Sequence, residues 1–262
     1  MRSIRELASL AGRVALVTGG AGHIGSATCD VLEELGAQIA VADLPEALSR
    51  RGMEPSSRRQ VFPTDLSDEQ QTRTLVQEVL VECGQLDVLV HCAGYVGTTH
   101  APGWNVELAE QTIEAWDKAL RVNLTAAFIL AQEAREPLSR SGQGSIVFMS
   151  SIYGAVSPVP QLYEGTTMHS PAAYGVSKAG IQQLARQLAV YYAPEIRVNV
   201  LVPGGVARGQ DPRFVERYEE RTPLKRMATE EDFKGAVAFL ASGLSAYVTG
   251  QCLVVDGGWT IW

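Results

Sequence analysis

The chain has 262 residues, of which 46% are hydrophobic and 19% charged, and its net charge is -7. This is an ordinary globular composition, and the length suits one large α/β domain or two small ones. An acidic chain without a basic stripe is not expected to bind nucleic acid. No apolar stretch reaches the length of a membrane span, and Met1 to Gly12 lacks an apolar signal core, so the sequence predicts a cytoplasmic protein with no membrane partner.

The cysteines show no paired C-x-x-C spacing and lie in apolar or helical surroundings. We therefore expect reduced thiols, with neither a metal site nor a disulfide framework. They are Cys29, Cys83, Cys92 and Cys252.

Short apolar, β-branched runs alternate along the chain with longer amphipathic segments. The predicted strands are 14–17, 38–42, 87–90, 145–149, 198–202 and 251–255, and the predicted helices are 24–35, 68–83, 112–135, 173–192 and 230–240. Ser67 with Gln70, at capping-box spacing, and Thr229 before three acidic residues predict helix starts. The basic run Arg50, Arg51, Arg58 and Arg59 is interpreted as a solvated loop.

The strand-like runs are apolar almost throughout, as expected for parallel strands buried on both faces. Strands that alternate with helices predict a parallel sheet covered by helices on both sides. No repeat or low-complexity linker divides the chain. The predicted fold is therefore a single doubly wound α/β domain over 1–262, with a sheet of about seven strands.

A glycine-rich segment from Thr18 to Gly25 joins the first strand to the first long helix. Glycine permits a tight turn and a close backbone approach to a pyrophosphate, and the helix start supplies unpaired N–H groups. Gly20, Gly22 and Gly25 fit the G-x-G-x-x-G pattern. Its place between a strand and a helix favours a dinucleotide site over a turn without ligand.

Asp43 ends the second strand, where an acidic residue is expected to bind the adenosine ribose. A carboxylate accepts hydrogen bonds from both ribose hydroxyls of NAD and repels the 2′-phosphate of NADP. Because the neighbours Ala42 and Leu44 are not basic, the sequence favours NAD. The alternative is that Asp43 only forms a turn or caps a helix.

Tyr174 and Lys178 are four residues apart at the head of a predicted helix and share one face. A nearby ammonium group would stabilise the phenolate and lower the tyrosine pKa toward neutrality. Ser151, just past a strand end, can hydrogen-bond a substrate oxygen, and Asn123 can support the lysine. The Tyr-x-x-x-Lys spacing alone is weak evidence.

With these residues, the chain resembles the classical short-chain dehydrogenase/reductase family over essentially its whole length. The matching pieces are the Thr18 to Gly25 turn, Asp65-Leu66, Cys92-Ala93-Gly94, Asn123, Ser150-Ser151, Tyr174 to Lys178, Pro203-Gly204 and Thr249-Gly250 to Asp256-Gly257-Gly258. The resemblance implies a Rossmann-type oxidoreductase that moves a hydride between NAD(H) and an alcohol or carbonyl substrate.

The resemblance also implies roles for individual residues. Tyr174 would be the acid or base, Lys178 would lower its pKa and hold the nicotinamide ribose, Ser151 would orient the substrate oxygen, and Asn123 would support a proton relay. Ser151 is chosen over Ser150 because Gly154 follows at the family's spacing. The implied cofactor-binding residues are Gly19, Gly22, His23, Ile24, Gly25, Asp43, Leu44, Asp65, Leu66, Cys92, Ala93, Gly94, Tyr174, Lys178, Pro203, Gly204 and Val206.

Family members are commonly tetramers or dimers, so the resemblance implies a homo-oligomer with interfaces at the helix near Asn123, the Tyr174 helix and the C-terminal segment. Ser151-Ile152-Tyr153-Gly154 together with Tyr163 to Thr166 resembles a branch linked to surface-sugar and flagellin-glycan biosynthesis. That branch implies a sugar derivative as substrate, hydrogen-bonded by Glu164, Thr166, Thr167 and His169, with Tyr153 and Tyr163 either contacting substrate or packing.

Three positions depart from the family pattern. His23 replaces a glycine of the turn, as a phosphate neighbour or an exposed bystander, and Cys92 replaces a frequent asparagine in a structural position. Arg208 stands where a threonine usually contacts the nicotinamide carboxamide. It is expected either to bind an anionic substrate group or to be solvent-exposed.

Ser151 and Tyr174 are 23 positions apart, more than the family usually has. The extra segment within 157–171 must lie beside the active site because both its ends do, and we expect it to enclose the substrate. A second long connection, 95–105, is expected to border the cleft.

Two alternatives remain open from the sequence. A non-catalytic NAD-binding regulator would use the same fold. A sugar epimerase or dehydratase of the extended branch would share Tyr-x-x-x-Lys, but would need a longer C-terminal substrate domain than the residues after Asp256 supply.

Overall fold

The computed structural model describes residues 1–96 and 99–262. Its sheet has seven parallel strands in the order β3-β2-β1-β4-β5-β6-β7. The strands are β1 (Val14–Thr18), β2 (Gln38–Asp43), β3 (Arg59–Pro63), β4 (Val88–His91), β5 (Gly144–Met149), β6 (Ile196–Pro203) and β7 (Cys252–Val255). The predicted doubly wound parallel sheet of about seven strands is confirmed.

The α-helices are α1 (Ile4–Ala8), α2 (His23–Glu34), α3 (Pro45–Arg51), α4 (Glu69–Cys83), α5 (Ile113–Leu120), α6 (Ala126–Arg140), α7 (Ala172–Tyr192), α8 (Pro212–Arg221) and α9 (Lys234–Ala241). A π-helical turn, Arg121–Thr125, joins α5 to α6. The single helix predicted over 112–135 is therefore two helices with a widened turn between them. In the described residues, no helix is both long and apolar enough to cross a membrane.

The core forms two apolar layers, one on each face of the sheet. Helices α2, α3 and α9 pack on one face, and α4, α6 and α7 pack on the other. Strands β1, β4 and β5 are buried at every residue, which explains their near-continuous apolar sequence.

The arginine run is the predicted solvated loop only in part: Arg58 is exposed in the loop before β3, and Arg50 and Arg51 are exposed but helical. Arg50 and Arg51 end helix α3, and Arg59 begins strand β3. Arg59 pairs with Asp30 and Glu33 on α2, which ties the edge strand to that helix. Charged side chains on an edge strand are common, and they hid this strand from an apolar pattern.

The helix starts were predicted with mixed success. A helical turn begins after Thr229, as expected, and the Thr229 N–H donates to the Asp232 carboxylate at 2.7 Å. The start of α4 is capped by Asp68, whose carboxylate accepts from the Gln71 N–H, and Ser67 does not cap it. A carboxylate at the cap also favours the positive end of the helix dipole.

Candidate active site and cofactor cleft

A cavity of about 1810 Å³ runs along the carboxyl ends of the strands. It opens between β1 and β4, where the strand order reverses, the position at which open α/β sheets bind ligands. Every residue predicted for catalysis or cofactor binding lines this cavity except Asn123, which is fully buried behind it. The topology therefore gathers residues that are up to 187 positions apart (Gly19 to Val206) into one cleft.

The glycine turn forms a narrow cradle at one end of the cavity. Gly19 has a positive φ of 68°, and a Cβ there would collide with the backbone of Ala93. Gly22 is the N-cap of α2 and provides no side-chain hydrogen bond to the helix. The first N–H groups of α2 are thus not capped by a side chain, and the cradle fits the pyrophosphate of a dinucleotide.

Asp43 lies beside this cradle and already holds part of the turn. One carboxylate oxygen accepts from the Ala21 N–H at 2.9 Å, and the other accepts from the Leu44 N–H at 2.8 Å. Burial raises the pKa of Asp43, and these backbone hydrogen bonds oppose the rise. The turn-forming role is therefore present, and it leaves Asp43 on the cavity wall.

Basic residues line the same cavity as Asp43, although its sequence neighbours are not basic. Helix α3 folds back so that Arg50 and Arg51 line the same cavity together with Glu46. Arg51 donates to the Ser26 hydroxyl at 2.9 Å. The charge around the predicted ribose position is mixed.

The segments after β3 and β4 form the other wall. Asp65 and Leu66 line the cavity, and the Asp65 carboxylate accepts from the Ser67 N–H at 2.8 Å. A Cβ on Gly94 would lie 3.4 Å from the Lys178 ammonium nitrogen, so glycine keeps this wall close to the lysine. Burial raises the pKa of Cys92 to about 12, which makes it an inert thiol.

Tyr174 and Lys178 lie on one face of α7, as predicted. The Lys178 ammonium nitrogen is 5.8 Å from the centre of the Tyr174 ring and donates to the Met149 carbonyl at 2.8 Å. Burial lowers the pKa of Lys178 to about 8. A buried lysine with one carbonyl partner is thus ready to bind a further acceptor.

The pKa of Tyr174 is raised in this structure, because burial disfavours the phenolate. The Ser151 hydroxyl and the positive charge of Arg208 act in the opposite direction. Burial outweighs these two effects in this structure, so the lowering of this pKa by Lys178 stays a prediction. Arg208 is a further cation that acts on Tyr174.

Asn123 sits in the π-helical turn and organises its surroundings. Its amide oxygen accepts from the Tyr95 N–H at 2.6 Å, and its amide nitrogen donates to the Tyr95 carbonyl at 3.2 Å and to the Ser177 hydroxyl at 2.9 Å. Asn123 therefore joins the segment after β4 to helix α7, one residue before Lys178. A direct contact with the lysine is not formed.

The two candidate serines have different surroundings. Ser150 donates to the Lys178 carbonyl at 2.7 Å and accepts from Gln182 at 3.0 Å, so its hydroxyl braces α7. The Ser151 hydroxyl accepts from the Tyr153 N–H at 3.2 Å and acts on Tyr174. This arrangement supports the choice of Ser151 for contact with substrate.

His23 and Arg208 meet at Glu230. The imidazole Nδ1 of His23 is 2.9 Å from a Glu230 carboxylate oxygen, and the Arg208 Nε is 4.0 Å from the same oxygen. His23 is half exposed and pairs with Glu230, and its place beside a phosphate stays a prediction. Arg208 is only 20% exposed, and the solvent-exposed alternative for this residue is wrong.

The inserted segment 157–171 borders the cavity, as predicted. Tyr163, Thr167, Met168 and His169 line it. Glu164 and Thr166 do not line it, which corrects the predicted hydrogen-bonding set. The Thr166 hydroxyl instead donates to the Tyr163 carbonyl at 2.8 Å and stabilises the loop's own turn.

The described part of the connection 95–105 also lines the cavity, through Tyr95, Val96 and Asn105 among others, whereas Gly97 and Thr98 lie outside the described residues. The Asn105 side chain accepts from the His169 N–H at 2.9 Å. The two long connections therefore touch each other over the site.

Helix α8 was missed by the sequence analysis, and it supplies a wall of the cavity. Phe214 and Tyr218, one helical turn apart, are buried and line it, and Met227 follows. The signal was present in the sequence, since Asp211 caps the helix, Pro212 occupies its first turn, and Phe214 and Tyr218 form an i, i+4 apolar pair in a charged segment.

Comparison with known proteins agrees with this architecture. Residues 19–260 match a family model described as enoyl-(acyl carrier protein) reductase. The chain is 35% identical to cis-4-hydroxycyclohexanecarboxylate dehydrogenase of Sinomonas cyclohexanicum over 96% of this chain and 98% of that protein. It is 30% identical to post-translational flagellin modification protein A of Campylobacter coli, over 95% and 99% of the two chains.

Two solved structures extend the comparison. A short chain dehydrogenase from Leptospira borgpetersenii with bound NAD+ has a TM-score of 0.84 and 30% identity over 99% of this chain and 96% of that one. The RhlG/NADP complex of Pseudomonas aeruginosa has a TM-score of 0.82 and 29% identity over 97% of this chain and 98% of that one. Similar chains thus bind either nucleotide. By these matches and by its cleft, the chain belongs to the short-chain dehydrogenase/reductase family and is an NAD(P)-dependent oxidoreductase.

Proposed function

We propose that the chain catalyses the reversible interconversion of an alcohol and its carbonyl compound with NAD(H), at the place where Tyr174, Lys178 and Ser151 meet. The observation that carries the proposal is that these three side chains line the same cavity as the glycine cradle. Bound there, the nicotinamide would accept the hydride in one direction and supply it in the other.

The chain's own residues handle the proton. Ser151 donates a hydrogen bond to the substrate oxygen, and Tyr174 takes the proton of the alcohol in oxidation and returns a proton to the carbonyl oxygen in reduction. Because burial raises the pKa of Tyr174, oxidation needs nearby positive charge to reach the phenolate. Lys178 supplies that charge and holds the nicotinamide ribose. Asn123 holds the segment after β4 and helix α7 in place around these groups.

The choice of NAD over NADP rests on Asp43 and Glu46 beside the cradle. Two carboxylates disfavour the dianionic 2′-phosphate of NADP. Arg50 and Arg51 have the opposite effect, but Arg51 is already bonded to Ser26. We therefore infer a preference for NAD that is measurable and not absolute.

For the substrate, the proposal keeps a sugar derivative as one candidate. The relative from Campylobacter coli is named for flagellin modification, which agrees with the predicted resemblance to the surface-sugar and flagellin-glycan branch. The relative from Sinomonas cyclohexanicum is named for a cyclic hydroxycarboxylate, which supports a ring alcohol with an acid group. Thr167 and His169 provide polar groups at the wall, and the Tyr153–Tyr163 pair provides aromatic ones.

The test is NADH formation from NAD with a panel of secondary alcohols, sugars and hydroxy acids. We expect Tyr174→Phe to lower turnover by about 10²- to 10⁴-fold, the contribution typical of a general acid or base. Tyr191→Phe, an exposed tyrosine on the same helix, is the control. NADH binding, followed by fluorescence, should survive in both variants.

Full turnover in Tyr174→Phe would overturn the assigned role. Tight NADH binding without turnover on any member of the panel would favour the non-catalytic regulator.

A further inference from the structure

Arg208 is a mostly buried cation that lacks a complete set of hydrogen-bond partners. Its Nε atom is buried and has no hydrogen-bond partner among the described residues. The Glu230 carboxylate is 4.0 Å away from that atom, beyond hydrogen-bonding distance, and it is bonded to His23. The buried Nε does not face the cavity, but Arg208 lines it, and no hydrogen bond from the terminal guanidinium nitrogens is formed within the described residues. These charged N–H groups are available to an acceptor in the cavity.

Keeping Arg208 charged in this mostly buried position costs free energy. Burial lowers its pKa, and the negative charges of Glu230 and of the Tyr174 phenolate form only partly offset that effect. A charge held in a partly buried place without full pairing is destabilising, so such residues are commonly kept for binding.

Arg208 lines the cavity on the same side as the reacting groups. It is close enough to Tyr174 for each side chain to shift the pKa of the other. The remaining wall there is largely aromatic or apolar. Its members are Tyr153, Tyr163, Phe214, Tyr218 and Met227.

We propose that the substrate is a hydroxycarboxylate or the corresponding ketocarboxylate, with its carboxylate on Arg208, its hydroxyl or carbonyl oxygen at Tyr174, and an apolar body against the aromatic wall. The assignment rests on the proposed function, because it places the reacting oxygen at Tyr174. A guanidinium binds a carboxylate with two parallel hydrogen bonds. A monoanion fits better than a phosphate ester, because Glu230 is nearby and would repel a dianion.

The experiment compares matched substrates that differ only in charge. 4-Hydroxycyclohexanecarboxylate, its primary amide and cyclohexanol would be oxidised with NAD by the wild type and by Arg208→Gln. We expect the KM for the carboxylate to rise by roughly 10- to 100-fold in the variant, the range for loss of a charged hydrogen bond. The KM values for the amide and cyclohexanol should change little, whereas any effect of the lost charge on Tyr174 should appear in kcat for all three substrates alike. Arg208→Lys should recover part of the loss in KM.

A second variant controls for the general electric field. Arg213 lies on α8 and pairs with Asp211 at 2.8 Å, and it is not among the residues that line the cavity. Arg213→Gln should therefore leave the preference for the carboxylate unchanged. The dissociation constant of NADH, measured by fluorescence, should also stay within about twofold in Arg208→Gln.

Three results would overturn the inference while leaving the proposed function intact. The wild type would show no preference for the carboxylate over the amide, the preference would survive in Arg208→Gln, or a phosphate ester would be preferred. If Arg208→Gln instead weakened NADH binding alone, the arginine would belong to the cofactor site.

Absence of all turnover would count against the proposed function and not against this site. Calorimetric binding of the carboxylate to the NADH complex, in wild type and in Arg208→Gln, would then decide the inference. Equal binding to the two proteins would overturn it.

Discussion

The phenol hydroxyls of Tyr153 and Tyr163 are 2.8 Å apart, and this contact joins the segment after β5 to the inserted loop. Burial raises the pKa of both groups, so both stay neutral near pH 7. The Tyr163 ring also packs on Phe214 of α8, with 5.3 Å between ring centres. Three separate pieces of the chain therefore share one aromatic wall.

Tyr163→Phe should weaken this wall without touching the nucleotide cradle. Loss of one neutral hydrogen bond is expected to raise the KM of the substrate by roughly 2- to 10-fold. The KM of NAD should not change. Tyr247→Phe, at a fully exposed tyrosine, is the control, and steady-state kinetics in both substrates make the measurement. A rise in the KM of NAD would contradict the prediction.

Arg217 should anchor the inserted loop. Its guanidinium donates to the carbonyls of Gln161 at 3.1 Å and Glu164 at 2.6 Å. In Arg217→Met we expect faster proteolysis within 157–171, because these carbonyls lose their partner. Arg140→Met, at an exposed arginine paired with Glu136, should be cleaved like wild type. Equal cleavage of all three proteins would show that the loop is held by other contacts.

Asp43→Asn should reduce the preference for NAD over NADP. Removing the charge relieves repulsion of the 2′-phosphate, and we expect the ratio of kcat/KM values to fall by about tenfold. Asp65 lines the same cavity, and Asp65→Asn should change kcat/KM for NAD and for NADP by the same factor. A wild type that prefers NADP would instead indicate that Arg50 and Arg51 set the specificity.

Lys178 should make stability depend on alkaline pH. Its pKa is about 8 in the folded chain and about 10.5 for an ordinary lysine, so the unfolded chain binds more protons between these values. The free energy of unfolding therefore rises with pH across this window, by at most about 1.4 kcal/mol per pH unit. In urea titrations, the free energy of unfolding of the wild type should rise relative to that of Lys178→Met between pH 8 and pH 10.5. If the difference between the two proteins stayed constant over this range, the low pKa of Lys178 would be contradicted.

The predicted homo-oligomer has exposed apolar residues to support it. Val190 on α7 is 77% exposed, and Ile261 and Trp262 at the C-terminus are also exposed. We expect a dimer or tetramer by sedimentation, and Val190→Glu should shift it toward the monomer, because a charge at an apolar interface is unfavourable. Val81→Glu, at a 76% exposed valine on α4, should have no effect. A wild type that sediments as a monomer would contradict the predicted homo-oligomer.

The sequence was most informative where a residue type has one physical reason to be present. Gly19 and Gly25 are required by backbone contacts that no side chain permits, and the buried strands β1, β4 and β5 are apolar at most of their positions. Tyr174 and Lys178 share a helix face because their spacing is set by the helix itself.

The sequence was least informative where a feature depends on residues that are far apart in the chain and close in space. Strand β3 is defined by its pairing with β2, and only the fold shows that Arg50 lines the same cavity as Asp43. The pKa of Tyr174 depends on burial and on Arg208, 34 positions away, and the sequence shows neither.

The π-helical turn Arg121–Thr125 makes the active site sensitive to chain length. A π-helical turn holds one residue more than an α-helical turn, and it gives Asn123 its place between Tyr95 and Ser177. Deleting one residue here would restore a regular helix and rotate α5 by about 100° relative to α6. The deletion would separate the walls of the cleft while every residue that lines it remained in the chain.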